Sequence, residues 1–476
     1  MVHNRAISSV SVVGKAGLNI ERQEKSRLPT KSKDFCYEHI ISTFSDDPLQ
    51  ICPSKDDRIQ CWGARHSKNM ALCKLWGLAL RPNEMTGAFP TDIDSRAMSN
   101  FTANLIGSTS CLGGSVRQLE ERSRSPVPTK FMKHIINSPR LGESQCTKWI
   151  EKPAFLHVSN AVHIYFKLLD LYNVHKAAYD EGLSDGEFVV VRIGNLMNDR
   201  LNYMHAEFEE RLFGRSDLDL IQMSKEGIGT VCFRQAVVVP NAYASVPFRC
   251  KMESNTRKKC IDCAGPKHEA HPMITFSDRV RATCGLEKIP QDSNKTFVTV
   301  ISRKPYTRWK GDEAGKNFHR VLDNEDQLMD ALQSARKDLG LQVELIHLET
   351  MEICDQIGKA ASSDILIGVH GAGLVHLWWL VKKHATLIEL EPGSQVNNPS
   401  FRKVKCPTRE DGISICNPSF FFRTLAALTG REYVAVRATA AMGQPNMGTE
   451  PVHVEPSRVL DEVRKIVDAK RRDQQL

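Results

Sequence analysis

A strand pattern runs directly into a glycine-rich turn in the segment Ser363–Leu374, whose sequence is SDILIGVHGAGL. Gly371 and Gly373 let the backbone approach a ligand closely, and a helix that begins here offers unpaired N–H groups and a positive dipole end. Such a turn, with Ala372 between the glycines, can cradle a phosphate or diphosphate, and His370 can add a hydrogen bond or a positive charge. A tight strand-to-helix turn also needs glycine, so the spacing alone leaves both interpretations open.

Three charged residues lie at the carboxyl ends of predicted strands. Arg303 comes after a strand that ends at Ile301, where a guanidinium can neutralise phosphate oxygens. Glu389 and Glu391 lie at the end of a later strand, where a carboxylate can accept hydrogen bonds from ribose hydroxyls. Together these residues predict a nucleotide site. The sequence has no complete GxGxxG motif, which disfavours NAD enzymes, and no GxxxxGK[ST] motif, which excludes P-loop nucleoside triphosphatases.

A polar stripe on a predicted helix supplies a second set of reactive side chains. Asn160, His163, Lys167 and Asp170 recur at i, i+3, i+7 and i+10, among mainly apolar and aromatic neighbours. The stripe is either the solvent face of the helix or a surface that faces a binding cleft. In the second case His163 can serve as a general base.

Apolar runs that alternate with helical patterns must position these residues, and they predict an α/β fold with parallel sheets covered by helices. The first set of predicted strands occupies 154–158, 188–193, 218–223 and 231–239, with helices from about 160 and at 277–283. The second set has strands at 296–301, 343–346, 365–369 and 386–390, joined by helices at 325–339, 350–361 and 372–381. Two Rossmann-like domains are therefore expected.

The predicted boundaries follow from this alternation. They are a disordered tail over 1–34, an irregular cysteine-containing region over 35–147 with a short helical piece from Asn69 to Leu80, an N-terminal Rossmann-like domain over 148–290, a C-terminal nucleotide-binding Rossmann-like domain over 296–450, and a closing helix over 456–472.

Composition restricts the partners and the compartment. The 476 residues carry a formal net charge of +8 without a basic block interleaved with aromatic residues, so nucleic acid is not expected as a partner. No apolar run approaches the roughly 18 residues of a membrane span. The 14 cysteines and two glycosylation sequons, at Asn100 and Asn294, favour disulfides in an oxidising compartment. Since no signal segment is seen, the chain is either cytosolic with reduced thiols or lacks its true start.

The segment from Cys354 to Pro392 resembles glycosyltransferase family 61, through Asp355-Gln356, the Gly-Val-His-Gly-Ala-Gly-Leu block and the Ile-Glu-Leu strand that follows. A weaker resemblance extends over residues 146–470 and includes Asn160-x-x-His163. It implies a GT-B-like fold, in which two Rossmann-like domains face a cleft, with the acceptor on the N-terminal domain over 148–290 and the nucleotide sugar mainly on the C-terminal domain. It also implies sugar transfer from a UDP donor with inversion and without an essential metal or other cofactor.

The resemblance and the residue pattern together give one expected site. His163 is the expected catalytic base, and nucleotide-sugar binding is expected at Arg303, Gln356, His370, Gly371, Ala372, Gly373 and Glu389, with Asp219 and Arg320 as further candidates. The expected reaction is transfer of N-acetylglucosamine from UDP-GlcNAc to Ser/Thr of an extracellular-type, EGF-like domain in the endoplasmic reticulum or Golgi lumen. The alternatives are xylosyl or arabinosyl transfer to a glycan and an inactive sugar-binding or glycoprotein-binding paralogue.

Departures from the family pattern motivate the inactive alternative. Lys167 stands where the family has an acid one turn after His163, and a lysine there would oppose proton uptake by the imidazole. The family's second arginine aligns with His319, next to Arg320.

Two patterns in the sequence resemble parts of metal sites. Asp217-Leu218-Asp219 resembles the Asp-x-Asp of metal-dependent glycosyltransferases but is expected to be structural or acceptor-facing in this fold. The close pair Cys260 and Cys263 lacks the second cysteine pair of a zinc site. No metal site is therefore predicted.

Overall fold

The computed structural model describes residues 59–63, 71–81, 103–105, 141–158, 164–184, 186–193, 208–213, 217–219, 223, 226–239, 271–289, 295–304, 306–307, 317–318, 321–382, 384–391, 420–438 and 451–475. These residues build an eight-stranded sheet, a five-stranded sheet and a two-stranded ribbon, with helices on the sheet faces. The predicted α/β class is confirmed at this level. The predicted domain boundaries stay predictions.

The first sheet is mixed, with parallel strands at its centre. Its strands are β1 (Ile59–Gly63), β2 (Ala71–Leu80), β3 (Ala103–Leu105), β4 (Lys148–Ile150), β5 (Ala154–Val158), β6 (Val189–Ile193), β7 (Asp217–Asp219) and β8 (Val231–Val239). They are ordered β1-β2-β8-β5-β6-β7, with β3 beside β2 and β4 beside β8. The run from β8 to β7 is parallel, while β2 joins β8 antiparallel.

The helical piece predicted from Asn69 to Leu80 is wrong, because Ala71–Leu80 is a strand that pairs with β8. Cys73 and Leu75 are buried while Lys74 and Trp76 between them are half-buried, which is the period of a strand. Strands therefore occur inside the stretch expected to be irregular.

The second sheet is entirely parallel. It contains β9 (Thr296–Ser302), β12 (Leu341–His347), β13 (Ile365–Val369), β14 (Thr386–Glu391) and β15 (Glu432–Arg437), in the order β12-β9-β13-β14-β15. Between β9 and β12 the chain forms the ribbon of β10 (Tyr306–Thr307) and β11 (Asn317–Phe318). Every residue of β13 and β14 is buried, as expected for strands covered on both faces. The four predicted strands are confirmed, and β15 is a fifth that the sequence analysis missed.

Helices cover both sheets. They are α1 (Ile164–Asp180), α2 (His271–Thr283), α3 (Glu325–Ser334), α4 (Arg336–Leu339), α5 (Ile353–Ser362), α6 (Phe420–Leu428) and α7 (Pro456–Gln475), together with 3-10 helices at Glu143–Gln145, Leu348–Thr350 and Ala372–Trp379. The helix expected over 372–381 is thus a 3-10 helix. Its residues 374–379 are all buried, so no amphipathic period indicated the helix type from sequence.

One hydrophobic core is continuous from the first sheet to the second through α1, α2 and the 3-10 helix Ala372–Trp379. The rings of Tyr172, Phe276 and Trp378 meet there, with centroids 5.1–5.7 Å apart. Ser277 Oγ donates to Trp378 O at 2.8 Å, and Trp378 Nε1 donates to Met273 O at 3.1 Å. These contacts pack the 3-10 helix Ala372–Trp379 against α2 and against α1, and α1 lies on the first sheet.

Disulfides are present, as the cysteine content predicted. Cys146 pairs with Cys232 inside the first sheet region, and Cys284 pairs with Cys354, which joins the end of α2 to α5. No helix in the described part of the chain combines the length and the apolar character that crossing a membrane requires.

Candidate functional site

The candidate site lies at the carboxyl edge of the second sheet, where the strand order reverses. Numbered along the chain, the order is 2-1-3-4-5, so the reversal falls between β9 and β13. Ligands of open parallel sheets bind in the crevice at such a point. Arg303 follows β9, and His370 and Gly371 follow β13, so the structure brings three of the predicted residues together at this crevice.

Arg303 contacts the turn that the glycines form. Its Nη1 donates to the carbonyl oxygen of His370 at 3.1 Å. A Cβ on Gly371 would overlap that guanidinium, whereas the backbone of Gly371 (φ 172°, ψ 175°) is extended and suits any residue. Glycine is therefore required at position 371 because a side chain would overlap Arg303, and not because of the backbone angles. The guanidinium of Arg303 and the backbone of the His370–Gly371 turn therefore form one continuous surface.

The 3-10 helix begins directly at this surface. Gly371 is its N-cap, and the first backbone bond of the helix runs from Leu374 N to Gly371 O at 3.0 Å. Ala372 and Gly373 precede that bond, so their N–H groups form the open positive end of the helix. A Cβ on Gly373 would lie 2.8 Å from Leu348 Cδ1, so close packing also explains the second glycine. The arrangement can hold an anion against N–H groups and a guanidinium.

Glu389 lies one strand away and is fully buried. Its Oε1 contacts His370 Nδ1 in a short hydrogen bond, and its Oε2 accepts from Tyr433 OH at 2.8 Å. The ring of His370 also packs edge-on against Phe422, with centroids 5.5 Å apart. A contact between Glu389 and ribose hydroxyls, as expected from the sequence, would require one of these bonds to open. Tyr433 and Phe422 were not predicted as site residues, because β15 and α6 were not predicted from the sequence.

Gln356, on α5, holds the loop after β12. Its Nε2 donates to Leu348 O at 2.9 Å and to Met351 O at 3.0 Å, and its Oε1 accepts from His376 Nε2 at 2.9 Å. Burial lowers the pKa of His376 to about 4, so this imidazole is neutral and donates. Gln356 therefore ties the loop after β12 to the 3-10 helix, and its amide is engaged within the protein.

The polar stripe on α1 is buried where the structure describes it. Lys167 Nζ forms a short ion pair with Glu209 Oε1, and Asp170 Oδ2 lies 3.8 Å from His157 Nε2, with all four side chains buried. The interpretation of these positions as a solvent face is wrong. His163 lies outside the described residues, immediately before the start of α1. The positive charge of Lys167 is compensated by Glu209, which lessens its expected effect on a nearby imidazole.

The remaining candidates are only partly described. Asp219 ends β7 beside Arg192 of β6, and its side chain lies outside the described residues. Arg320, His319, Cys260 and Cys263 also lie outside them. Among the residues that the structure describes, no group of three His, Cys, Asp or Glu side chains could hold a metal ion.

Part of the chain, which includes much of the site, is similar to a known family. Residues 195–388 match the family model described as Glycosyltransferase 61, a span that includes Arg303, Gln356 and the turn at His370–Gly373. The chain is 25% identical over 269 residues to a beta-1,2-xylosyltransferase of Oryza sativa subsp. japonica, covering 52% of this chain and 46% of that protein.

The names of two further relatives state the sugar that those proteins transfer. The chain is 23% identical over 290 residues to the EGF domain-specific O-linked N-acetylglucosamine transferase of Canis lupus familiaris, covering 59% of this chain and 49% of that protein. It is 25% identical over 263 residues to a beta-1,2-xylosyltransferase of Arabidopsis thaliana, covering 49% and 46%. The chain thus spans about half the length of the curated relatives that it matches. The family resemblance seen in the sequence is confirmed.

Proposed function

Since residues 195–388 match the glycosyltransferase 61 family, we propose that this protein is an inverting glycosyltransferase that uses a UDP-linked sugar donor. One observation carries the proposal. Arg303 and the His370–Gly371 turn meet at the point of the second sheet where nucleotides bind in folds of this strand order. The N–H groups of Ala372 and Gly373 and the guanidinium would stabilise the charge on the leaving diphosphate.

The proposal includes a GT-B arrangement, with the acceptor bound on the side of the first sheet. It is supported by the parallel order β7-β6-β5-β8, which is a Rossmann-like half of its own. Inversion needs a base that removes the proton of the acceptor hydroxyl, and His163 remains the proposed base. Its neighbour Lys167 is neutralised by Glu209, which supports a working base over an inactive paralogue.

N-acetylglucosamine transfer to Ser/Thr of an EGF-like domain is the first substrate that we propose, because relatives from several vertebrates carry that activity in their names. Xylosyl transfer is the second, because the rice and Arabidopsis relatives are named xylosyltransferases. The luminal secretory pathway is the proposed location, supported by the two disulfides among the described residues.

A UDP-release assay tests the proposal with UDP-GlcNAc, UDP-xylose and UDP-arabinose, using a folded EGF-like domain and a glycan as acceptors. Acceptor-dependent release is expected with UDP-GlcNAc, and release with a pentose donor alone would replace the first substrate by the second.

His163→Ala should abolish transfer while UDP affinity stays unchanged; surviving transfer would place the base elsewhere. EDTA should leave the rate nearly unchanged, and a loss that manganese restores would contradict the metal-independent mechanism. If the protein binds UDP but releases no UDP from any of the donors, it is the inactive sugar-binding or glycoprotein-binding paralogue and not a transferase.

A further inference from the structure

Glu389 is a buried carboxylate whose two oxygens are both bonded to residues of neighbouring elements. It lies on β14, beside Gly368 of β13 on one side and Ala435 of β15 on the other. Its Oε1 bonds to His370 beyond the end of β13, and its Oε2 bonds to Tyr433 at the second position of β15. The carboxylate therefore links three adjacent strands at the edge where the donor is proposed to bind.

These bonds define the state of the histidine. An ionised carboxylate only accepts hydrogen bonds, so Nδ1 of His370 carries a proton and donates it to Glu389. This fixes both the tautomer and the direction of the ring, as carboxylates do for histidines that bind metal ions. Phe422 packs against the ring edge-on and further restricts its rotation.

Tyr433 in turn restricts the carboxylate. Its hydroxyl donates to Oε2 at 2.8 Å, so Glu389 cannot rotate without breaking a hydrogen bond to a charged group. Arg303 holds the carbonyl oxygen of the same histidine at 3.1 Å, so the backbone and the ring of His370 are each tied to a charged side chain.

We propose that Glu389 and Tyr433 are positioning residues that hold His370 with Nδ1 donating to Glu389, so that the ring, protonated on both nitrogens when the donor is bound, donates from Nε2 to a diphosphate oxygen. This inference rests on the proposed function, since it takes the diphosphate as the ligand. Neither Glu389 nor Tyr433 touches the donor in this assignment. Both act through the imidazole, which differs from the ribose contact that the sequence suggested for Glu389.

Tyr433→Phe tests the inference, because it removes one hydroxyl and keeps the aromatic ring. Tyr179→Phe on α1 is the matched control, since Tyr179 is 37% exposed and lies outside the site. The affinity for UDP is measured by calorimetry on the full chain. We expect Tyr433→Phe to weaken UDP binding about tenfold, as loss of a partner does for metal-binding histidines, and Tyr179→Phe to leave it unchanged.

A second readout needs no ligand. The ¹⁵N chemical shifts of the imidazole of His370, assigned with His370→Gln, report which ring nitrogen carries the proton. The wild type should show the Nδ1-protonated form, and Glu389→Leu should give a mixture of tautomers. A neutral ring in the wild type that is protonated on Nε2 alone would overturn the inference.

The two proposals fail in different ways. Absence of UDP binding by the wild type would overturn the proposed function and, with it, the ligand assigned to Nε2. Normal UDP affinity in the wild type and in Tyr433→Phe would overturn the inference alone.

Discussion

At the scale of single residues, the site depends on the absence of a side chain at Gly371. The space that a Cβ would occupy is filled by the guanidinium of Arg303, which reaches the carbonyl oxygen of His370. The missing side chain of Gly371 thus makes room for the guanidinium of Arg303, which is proposed to neutralise the diphosphate. The sequence showed a glycine in a turn, but only the structure shows which group takes its place.

Gly371→Ala should therefore displace Arg303 without unfolding the protein, because the overlapping group is the end of a flexible side chain. UDP affinity should fall at least about tenfold, since a hydrogen bond to a charged group contributes about 1.5–3 kcal/mol. Gly358→Ala on α5 is the control. Its Cβ would meet Leu286 at an ordinary 3.6 Å, so UDP affinity should not change. Equal affinities for the two variants in calorimetry would contradict the role of the space beside Gly371.

His376 gives a pH dependence at the same scale. Burial lowers its pKa from 6.5 to about 4, so between these values the unfolded chain binds a proton that the folded protein does not. The free energy of unfolding should therefore fall as the pH drops through this window, by up to about 3 kcal/mol in total. The measurement compares Tm across this range for the wild type and His376→Gln, whose amide can still donate to Gln356. The variant should lose less stability on acidification, and parallel Tm curves would refute this prediction.

At the scale of elements, the sequence predicted the second sheet well because its strands are buried on both faces. Such strands appear as short apolar runs between helices, and four of the five were found from that pattern. The half-buried β2 was mistaken for a helix because its apolar residues are too dense to show a clear period. The pairing of Tyr433 with Glu389 was not predictable, because it depends on which strands become neighbours across the sheet. Arg303 and Gly371 were predictable because each lies within two residues of the end of a strand.

The opposite edge of the second sheet is fastened by Asp364, which precedes β13. Its Oδ2 accepts from Phe297 N and from Lys382 Nζ, both at 2.8 Å, and its Oδ1 pairs with Lys470 Nζ of α7 at 2.7 Å. Desolvation lowers the pKa of Lys382, and the bond to Asp364 opposes that shift. One buried carboxylate therefore holds two lysines and attaches α7 to the sheet.

Asp364→Asn should destabilise the protein by about 3–5 kcal/mol, because it leaves buried lysine charge without its counter-ion. The effect should appear as a lower Tm, with UDP affinity retained at temperatures where the variant is folded, since Asp364 lies at the edge away from the crevice. Glu462→Gln, which removes an exposed ion pair with Lys465 on the same helix, should leave Tm unchanged. A similar Tm for Asp364→Asn and the wild type would show that the buried cluster contributes nothing to stability.

At the scale of the whole molecule, the two sheets are connected by packed helices and by a covalent bond. The core that contains Tyr172, Phe276 and Trp378 is shared, and the disulfide Cys284–Cys354 links the end of α2 to α5. Because Gln356 of α5 also orders the loop after β12, that disulfide joins α2, which packs against α1, to the wall of the candidate site. Sugar transfer, as proposed, needs a donor on one sheet and a base on the other to stay aligned.

Variants that lack one or the other of the two described disulfides distinguish an effect on the alignment of the sheets from an effect on stability. Their sequence separations are 70 residues for Cys284–Cys354 and 86 residues for Cys146–Cys232, so the chain-entropy model gives each a similar stabilisation of about 4 kcal/mol. Replacing either pair by serine should therefore lower Tm by a similar amount. Of these two disulfides, only loss of Cys284–Cys354 should also lower the rate of transfer to the acceptor at saturating donor, with little change in UDP affinity, because it joins α2 to α5 beside the candidate site. Equal transfer rates in the two double variants, measured well below both Tm values, would mean that the packed core alone keeps the sheets aligned.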